Sequence, residues 1–355
     1  MAVLAVCACA DSATEPPPPA ATDLLVLNST GQTLAGFSVG EGLSESGAPV
    51  DLGAGFDGSA FDASNAHVVT TVSSFGGSRV VFVDLESRDV LTSSFPEPES
   101  DLANPSAASF DGSGTAWVGG RGSDAIYRVR PGDLQAERIA GSVGSFIERV
   151  VPIGERLYAV DANIDDEGGT YAPLGPGRVV VLSRSGEEER VIDLPPAVFN
   201  PTDAVAAGGR LIVLAAGSLD PETFMPVGDG ALVVLDSETG ATISSQSLAA
   251  NGVELELGRD GLVYLTTTVD FSALSVLVFD PAAGAFVRGP GDPVLVRGAD
   301  GARVDCWVAT GLADGRIVCA TFSFAEAGRL VLFGSDGQFI DEVPSGFGST
   351  DVVLR

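Results

Sequence analysis

From residue 23 onward, short runs of Val, Ile, Leu and Phe are broken at regular intervals by Gly, Asp, Asn and Pro. The unit is an apolar strand, a polar turn and a second strand. It occurs seven times: Leu24–Val39, Val80–Phe95, Ala125–Ile139, Arg178–Leu194, Ala231–Leu248, Ser275–Val287 and Arg329–Val343. Successive starts lie 56, 45, 53, 53, 44 and 54 residues apart. A further strand precedes six of these hairpins, at His67–Val72, Thr115–Gly119, Arg156–Val160, Arg210–Leu214, Leu262–Thr266 and Arg316–Ala320. Upstream again is a short strand, opened in two periods by Asn104-Pro105 and Asn200-Pro201. No segment sustains a helical period.

Four short antiparallel strands in each period of about 50 residues predict an all-β, seven-bladed β-propeller of four-stranded antiparallel blades. The first period lacks its inner strands. The C-terminal Ser349–Leu354 (STDVVL) matches the inner strand Pro201–Val205 (PTDAV). The C-terminal strand is therefore expected to pair in the N-terminal blade and close the ring, which removes a free sheet edge. That composite blade either has three strands or uses Leu24–Asn28 as its second.

The hairpins, such as Ala231–Gly240 (ALVVLDSETG), and the Asn-Pro openings resemble bacterial extracytoplasmic seven-bladed propellers of the YVTN and quinoprotein amine dehydrogenase-like class. The resemblance covers about residues 23–355 and is strongest for lipoproteins. It implies the fold and an exported setting. It implies no particular activity, because propellers host enzymes, binders and scaffolds alike.

The N-terminus fits export. Residues 1–10 contain a short apolar run, AVLAVCACA, too short to span a bilayer. They look like the end of a lipoprotein signal without its basic region. Cys9, preceded by the small Ala8, is the better lipidation site; Cys7 follows the bulkier Val6. Residues 11–22 (DSATEPPPPAAT) form a Pro-rich linker. The domain proper is 23–355. The expected location is the periplasm or cell surface, with membrane contact only through an N-terminal lipid anchor.

Charge narrows the partners. The chain has 48 acidic and 19 basic residues, for a net charge of −29, and every basic residue is Arg. Nucleic acid is excluded, since a phosphate backbone requires clustered cations. The single His67 counts against mechanisms that need several imidazoles. No Gly-x-Ser-x-Gly nucleophile motif is present.

Two features carry candidate chemistry. Two long loops in adjacent periods, 161–177 and 216–230, lie on the face where propellers usually bind. They supply the ligand-binding candidates Asp161, Asp165, Asp166, Tyr171, Asp220, Glu222, Phe224 and Asp229. Asp161-x-Asn163-x-Asp165 has the alternate oxygens of a Ca²⁺ loop but lacks its Gly and Glu, so only an irregular Ca²⁺ site is compatible. The second feature is a column of acids at the starts of the innermost strands: Asp57, Glu148, Asp203, Glu254, Asp305 and Asp351. Acids crowded at the channel mouth would raise one another's pKa unless a cation intervened. The competing reading for both features is solvated loop acids. Arg149 adjoins Glu148, but strand neighbours point to opposite faces, so the pair is not read as one site.

Cys306 and Cys319 are expected to form a disulfide. If they face each other in an antiparallel hairpin, their indices sum to 625 and centre the turn near Leu312 and Ala313. The favoured function is a non-enzymatic binding or scaffold protein, expected as a monomer with a protein or carbohydrate partner and no assigned cofactor beyond a candidate Ca²⁺. The alternative is a metal-dependent lactonase-type hydrolase built on the acid column.

Overall fold

The computed structural model describes residues 22–53, 58–73, 77–97, 103–165, 172–218, 220, 228–269, 273–323 and 326–355. These form seven antiparallel sheets. Blade 1 holds β1 (Thr22–Asn28), β2 (Thr33–Val39), and two short outer strands, β3 (Leu43–Glu45) and β4 (Val50–Asp51), that both pair with β2. Blade 2 runs β5 (Gly58–Ala63), β6 (His67–Val72), β7 (Arg79–Asp84), β8 (Val90–Ser94). Blade 3 runs β9 (Pro105–Phe110), β10 (Ala116–Gly120), β11 (Ala125–Val129), β12 (Glu137–Ala140). Blade 4 runs β13 (Ile147–Ile153), β14 (Arg156–Asp161), β15 (Arg178–Ser183), β16 (Glu188–Asp193). Blade 5 runs β17 (Pro201–Ala207), β18 (Arg210–Ala215), β19 (Ala231–Asp236), β20 (Thr242–Ser247). Blade 6 runs β21 (Asn251–Leu257), β22 (Val263–Thr268), β23 (Leu274–Asp280), β24 (Ala285–Arg288). Blade 7 runs β25 (Val308–Gly311), β26 (Ile317–Ala320), β27 (Gly328–Phe333), β28 (Phe339–Gly346).

The last strand, β29 (Ser349–Leu354), is the innermost strand of blade 1 and pairs with β1, with Leu24 opposite Leu354 and Leu27 opposite Asp351. The innermost strands β5, β9, β13, β17, β21, β25 and β29 touch in cyclic order. The C-terminal closure is thus as expected, and Leu24–Asn28 is the second strand of the composite blade. The first hairpin, Leu24–Val39, accordingly occupies the second and third positions of its blade, whereas the other six occupy the third and fourth. β1 starts at Thr22, one residue inside the segment read as linker.

The core is seven wedges, one between each pair of neighbouring blades. Val213 packs with Val160 and Val181 of blade 4, while the next residue, Leu214, packs with Leu255 and Leu265 of blade 6. Every middle strand is covered on both faces, because successive side chains point to opposite sides of the pleat. That is why β18 and β19 read as unbroken aliphatic runs instead of alternating ones. Close blade packing fixes certain glycines. A Cβ on Gly311 would run into the Tyr264 ring of blade 6.

Candidate functional site

Five of the seven innermost strands share one irregularity near their starts. In β13 the ladder passes from Ile147 opposite Asp161 to Arg149 opposite Val160, leaving Glu148 as an extra residue. The same one-residue bulge falls at Ser106 of β9, Thr202 of β17, Val253 of β21 and Thr350 of β29. A bulge twists the strand and re-aims its side chains. Here each bulged residue and, in four of these strands, the one after it turn into the channel. The result is a cavity of about 320 Å³ lined by Glu148, Arg149, Asp203, Glu254, Glu256 and Asp351, with Arg121 and Trp307 at its edge.

Four of the six column acids therefore meet: Glu148, Asp203, Glu254 and Asp351. The match is not one of equal register. Glu148 is the bulged residue, equivalent to Thr202, while Arg149 occupies the place held in other blades by Asp203, Glu254 and Asp351. The opposite-faces rule that separates Glu148 from Arg149 fails because the bulge breaks the pleat between them. Asp305 does not join. It lies ahead of β25, 45% exposed, 3.4 Å from Arg303 and accepting the Leu274 N–H. Trp307 reaches the cavity in its place, its ring packed against Phe322 at 5.1 Å. Asp57 lies outside the described residues.

The cavity holds five carboxyl groups against two guanidinium groups. Glu148 is buried and receives the Arg121 fork, with Nε at 3.1 Å. Arg121 also covers the Phe146 ring at 5.0 Å. Arg149 reaches Asp203, 3.3 Å from Nε to Oδ1. Asp203 further accepts the backbone N–H of Ala204 at 2.7 Å and of Leu255, from the next blade, at 3.1 Å.

Burial raises the pKa of Asp203, with Arg149 pulling the other way. Burial, then Asp203 and Asp351, push Glu254 well above the usual carboxylate range. Glu256 is pushed well above it by burial, Asp351 and Asp203. Asp351 is pushed up to about 7, chiefly by burial, and it hydrogen-bonds the Glu256 carboxyl. Burial works against the charge of Arg149, but Asp203, Glu256, Asp351 and Asp62 outweigh it. The Thr202 hydroxyl, in the cavity wall, is buried without a hydrogen-bond partner. Glu256 and Arg149 are absent from the sequence candidates. Alternation from Glu254 points to Glu256, since residues two apart on a strand share a face.

The long loops are a different case. Asp161 ends β14 and is fully buried. Its Oδ1 accepts the N–H groups of Ser145, Phe146 and Asn163, and its Oδ2 receives Arg178 at 3.0 Å. It is a clasp that ties the start of blade 4 to its own loop, and its oxygens are committed. Asn163 donates to the Pro176 carbonyl at 2.8 Å. This donor set does not fit Ca²⁺, which takes 6–8 free oxygens. Asp165 lines a groove with Arg121 and Leu174. Asp220 is half-buried, and Asp229 is exposed and accepts the Ser247 hydroxyl at 3.1 Å. Asp166, Tyr171, Glu222, Phe224 and Cys9 lie outside the described residues. Among the described residues, no group of three or more His, Cys, Asp or Glu is arranged to hold a metal ion. His67 sits at the start of β6, 3.4 Å from Asp84.

Cys306 and Cys319 form a disulfide, with Cα atoms 5.4 Å apart. The register differs from the hairpin pairing that predicts it: Ala309, not Cys306, stands opposite Cys319. Cys306 precedes the ladder, and the bridge is made from an irregular segment that the Trp307 N–H ties to the Ala320 carbonyl at 2.9 Å. The neighbouring Trp307 lines the cavity.

No protein-family model and no curated protein matches the chain. Solved structures do. A candidate 6-phosphogluconolactonase from Bacteroides fragilis is 12% identical over 95% of this chain and 98% of its own, with a TM-score of 0.61. A protein from Lactobacillus plantarum is 12% identical over 94% and 99%, with a TM-score of 0.62. Virginiamycin B lyase from Staphylococcus aureus is 12% identical over 82% and 85%, with a TM-score of 0.55. Likeness at this identity establishes the propeller fold and carries no chemistry with it.

Proposed function

We propose that this chain is an exported, lipid-anchored propeller that acts by binding, and that its ligand is a small organic cation held in the upper channel cavity. The observation that carries the reading is the imbalance of that cavity: five carboxyl groups, two guanidinium groups and an aromatic wall. A bound amine would let Glu254, Glu256 and Asp351 release their protons, and Trp307 would offer its ring face to the same charge. The disulfide fits an oxidising compartment. The hydrolase alternative draws on the Bacteroides fragilis neighbour's description. It is weaker, because Arg121 and Arg149 already neutralise Glu148 and Asp203.

Intrinsic tryptophan emission, read against a Trp307→Phe control, provides the test. Titration with spermidine at pH 7.5 is expected to change it saturably, and Glu254→Gln with Glu256→Gln should weaken the response at least tenfold. No saturable response to spermidine would defeat the proposal. A response to Ca²⁺ alone would favour the metal-dependent alternative instead.

A further inference from the structure

The opposite end of the channel has the reverse character. A depression of about 350 Å³ is lined by Asp62, Asn65, Phe110, Arg259, Leu354 and Arg355, among others. These residues come from the ends and turns of innermost strands in blades 2, 3, 6 and 1. Blade 6 lies across the ring from blades 2 and 3, so the depression straddles the channel axis. Strands β5, β9, β21 and β29 all finish there, which places it at the lower mouth.

We propose that this lower mouth is a binding site for a small oxyanion, a carboxylate or phosphate, with Arg259 as its principal charge. At least ten arginines of this acidic chain are held in ion pairs. Arg259 is different. Its backbone N–H is fixed on the Gly311 carbonyl at 2.8 Å, yet its guanidinium makes no ion pair or hydrogen bond with a described residue. The adjacent acid is committed elsewhere: Asp260 accepts the Tyr264 hydroxyl at 2.6 Å and the Leu262 N–H at 3.1 Å.

Arg355 brings a second guanidinium to the same depression. One of its nitrogens donates to the Asn65 carbonyl at 3.1 Å, which leaves most of its five donors for a ligand. The acid in the wall does not compete for them. Asp62 places Oδ1 on the Ala63 N–H at 2.8 Å and Oδ2 on the Phe110 N–H at 2.7 Å. Two guanidinium forks facing one depression match the planar, multidentate geometry of a carboxylate or phosphate. The overall charge of −29 opposes anions only over about a Debye length, roughly 8 Å at physiological salt. This site shares no residue with the upper cavity, so it stands or falls apart from the function proposed above.

The test is isothermal titration of the full chain with inorganic phosphate and, separately, with succinate at pH 7 and physiological ionic strength. Saturable binding of at least one probe is expected, and the stronger one identifies the anion class. Arg259→Gln should weaken it at least tenfold without moving the melting temperature. Arg156→Gln, which removes a lower-face charge paired with Glu189, should leave affinity within twofold. Absence of saturable binding to the unaltered protein would overturn the proposal. So would an Arg259→Gln affinity equal to that of the unaltered protein, or an equal loss in Arg156→Gln.

Discussion

Replacing Asp351 by Asn should change how the stability of this protein depends on pH. Asp351 sits on β29 inside the cavity, hydrogen-bonded to Glu256, and its carboxyl titrates at about 7 instead of near 3.8. Between those two values the folded protein keeps the proton that the unfolded chain has released. Stability falls wherever the folded state binds more protons, so this group's contribution is complete below about pH 4 and is lost as pH rises through 7. The gap corresponds to roughly 4 kcal/mol at 1.36 kcal/mol per unit. Relaxation of the polar surroundings offsets part of this, leaving an expected effect on the order of 2 kcal/mol. Glu254 and Glu256 act in the same direction. The carboxyls of Asp84, Asp111, Asp236 and Asp314 are lowered, so their opposite contribution is lost only as pH falls into the acid range. The Asp351→Asn substitution removes the ionisation and keeps the size. Urea unfolding at pH 4, 5, 6, 7 and 8 is the assay. The variant should match the parent at pH 4, pull ahead as pH rises, and exceed it by about 2 kcal/mol at pH 8. Parallel curves for the two proteins would refute the reasoning.

Two further outcomes follow from single contacts. Thiol titration of unfolded, unreduced residues 22–355 should find no free thiol, and reduction should cost roughly 3 kcal/mol in a urea melt, since the bridge closes a loop of 13 residues; two thiols per chain would contradict it. Arg178→Ala should cost about 3 kcal/mol because it strands the fully buried Asp161, and adding Asp161→Asn should recover part of that; an unchanged melting curve for Arg178→Ala would show the clasp to be dispensable.

Strand order is readable because its signals are local. Aliphatic runs covered on both faces, Gly and Asn-Pro turns and a period near 50 residues each depend on a few neighbours in sequence. Ring closure is readable from the likeness of Ser349–Leu354 to Pro201–Val205. The acid column is only partly readable. Its members emerge from aligning strand starts, which treats each strand as a regular pleat. Glu148 falls into the column through a one-residue offset, and Arg149 escapes it for the same reason. Asp305 enters because Arg303–Thr310 looks like an inner strand, whereas pairing begins only at Val308.

Local patterning suffices for an all-β chain of seven repeated sheets, the strand that closes them and the two cysteines that bridge. Which side chains share the channel depends on how the blades pack. A slip of one residue turns a strand's entire side-chain set to the other face, and a bulge is such a slip confined to one place. Nothing in the residues Ile147-Glu148-Arg149 marks it. It arises where seven inner strands crowd around one axis, and there it gathers Glu254, Glu256, Asp203 and Asp351, from three different blades, around the guanidinium of Arg149.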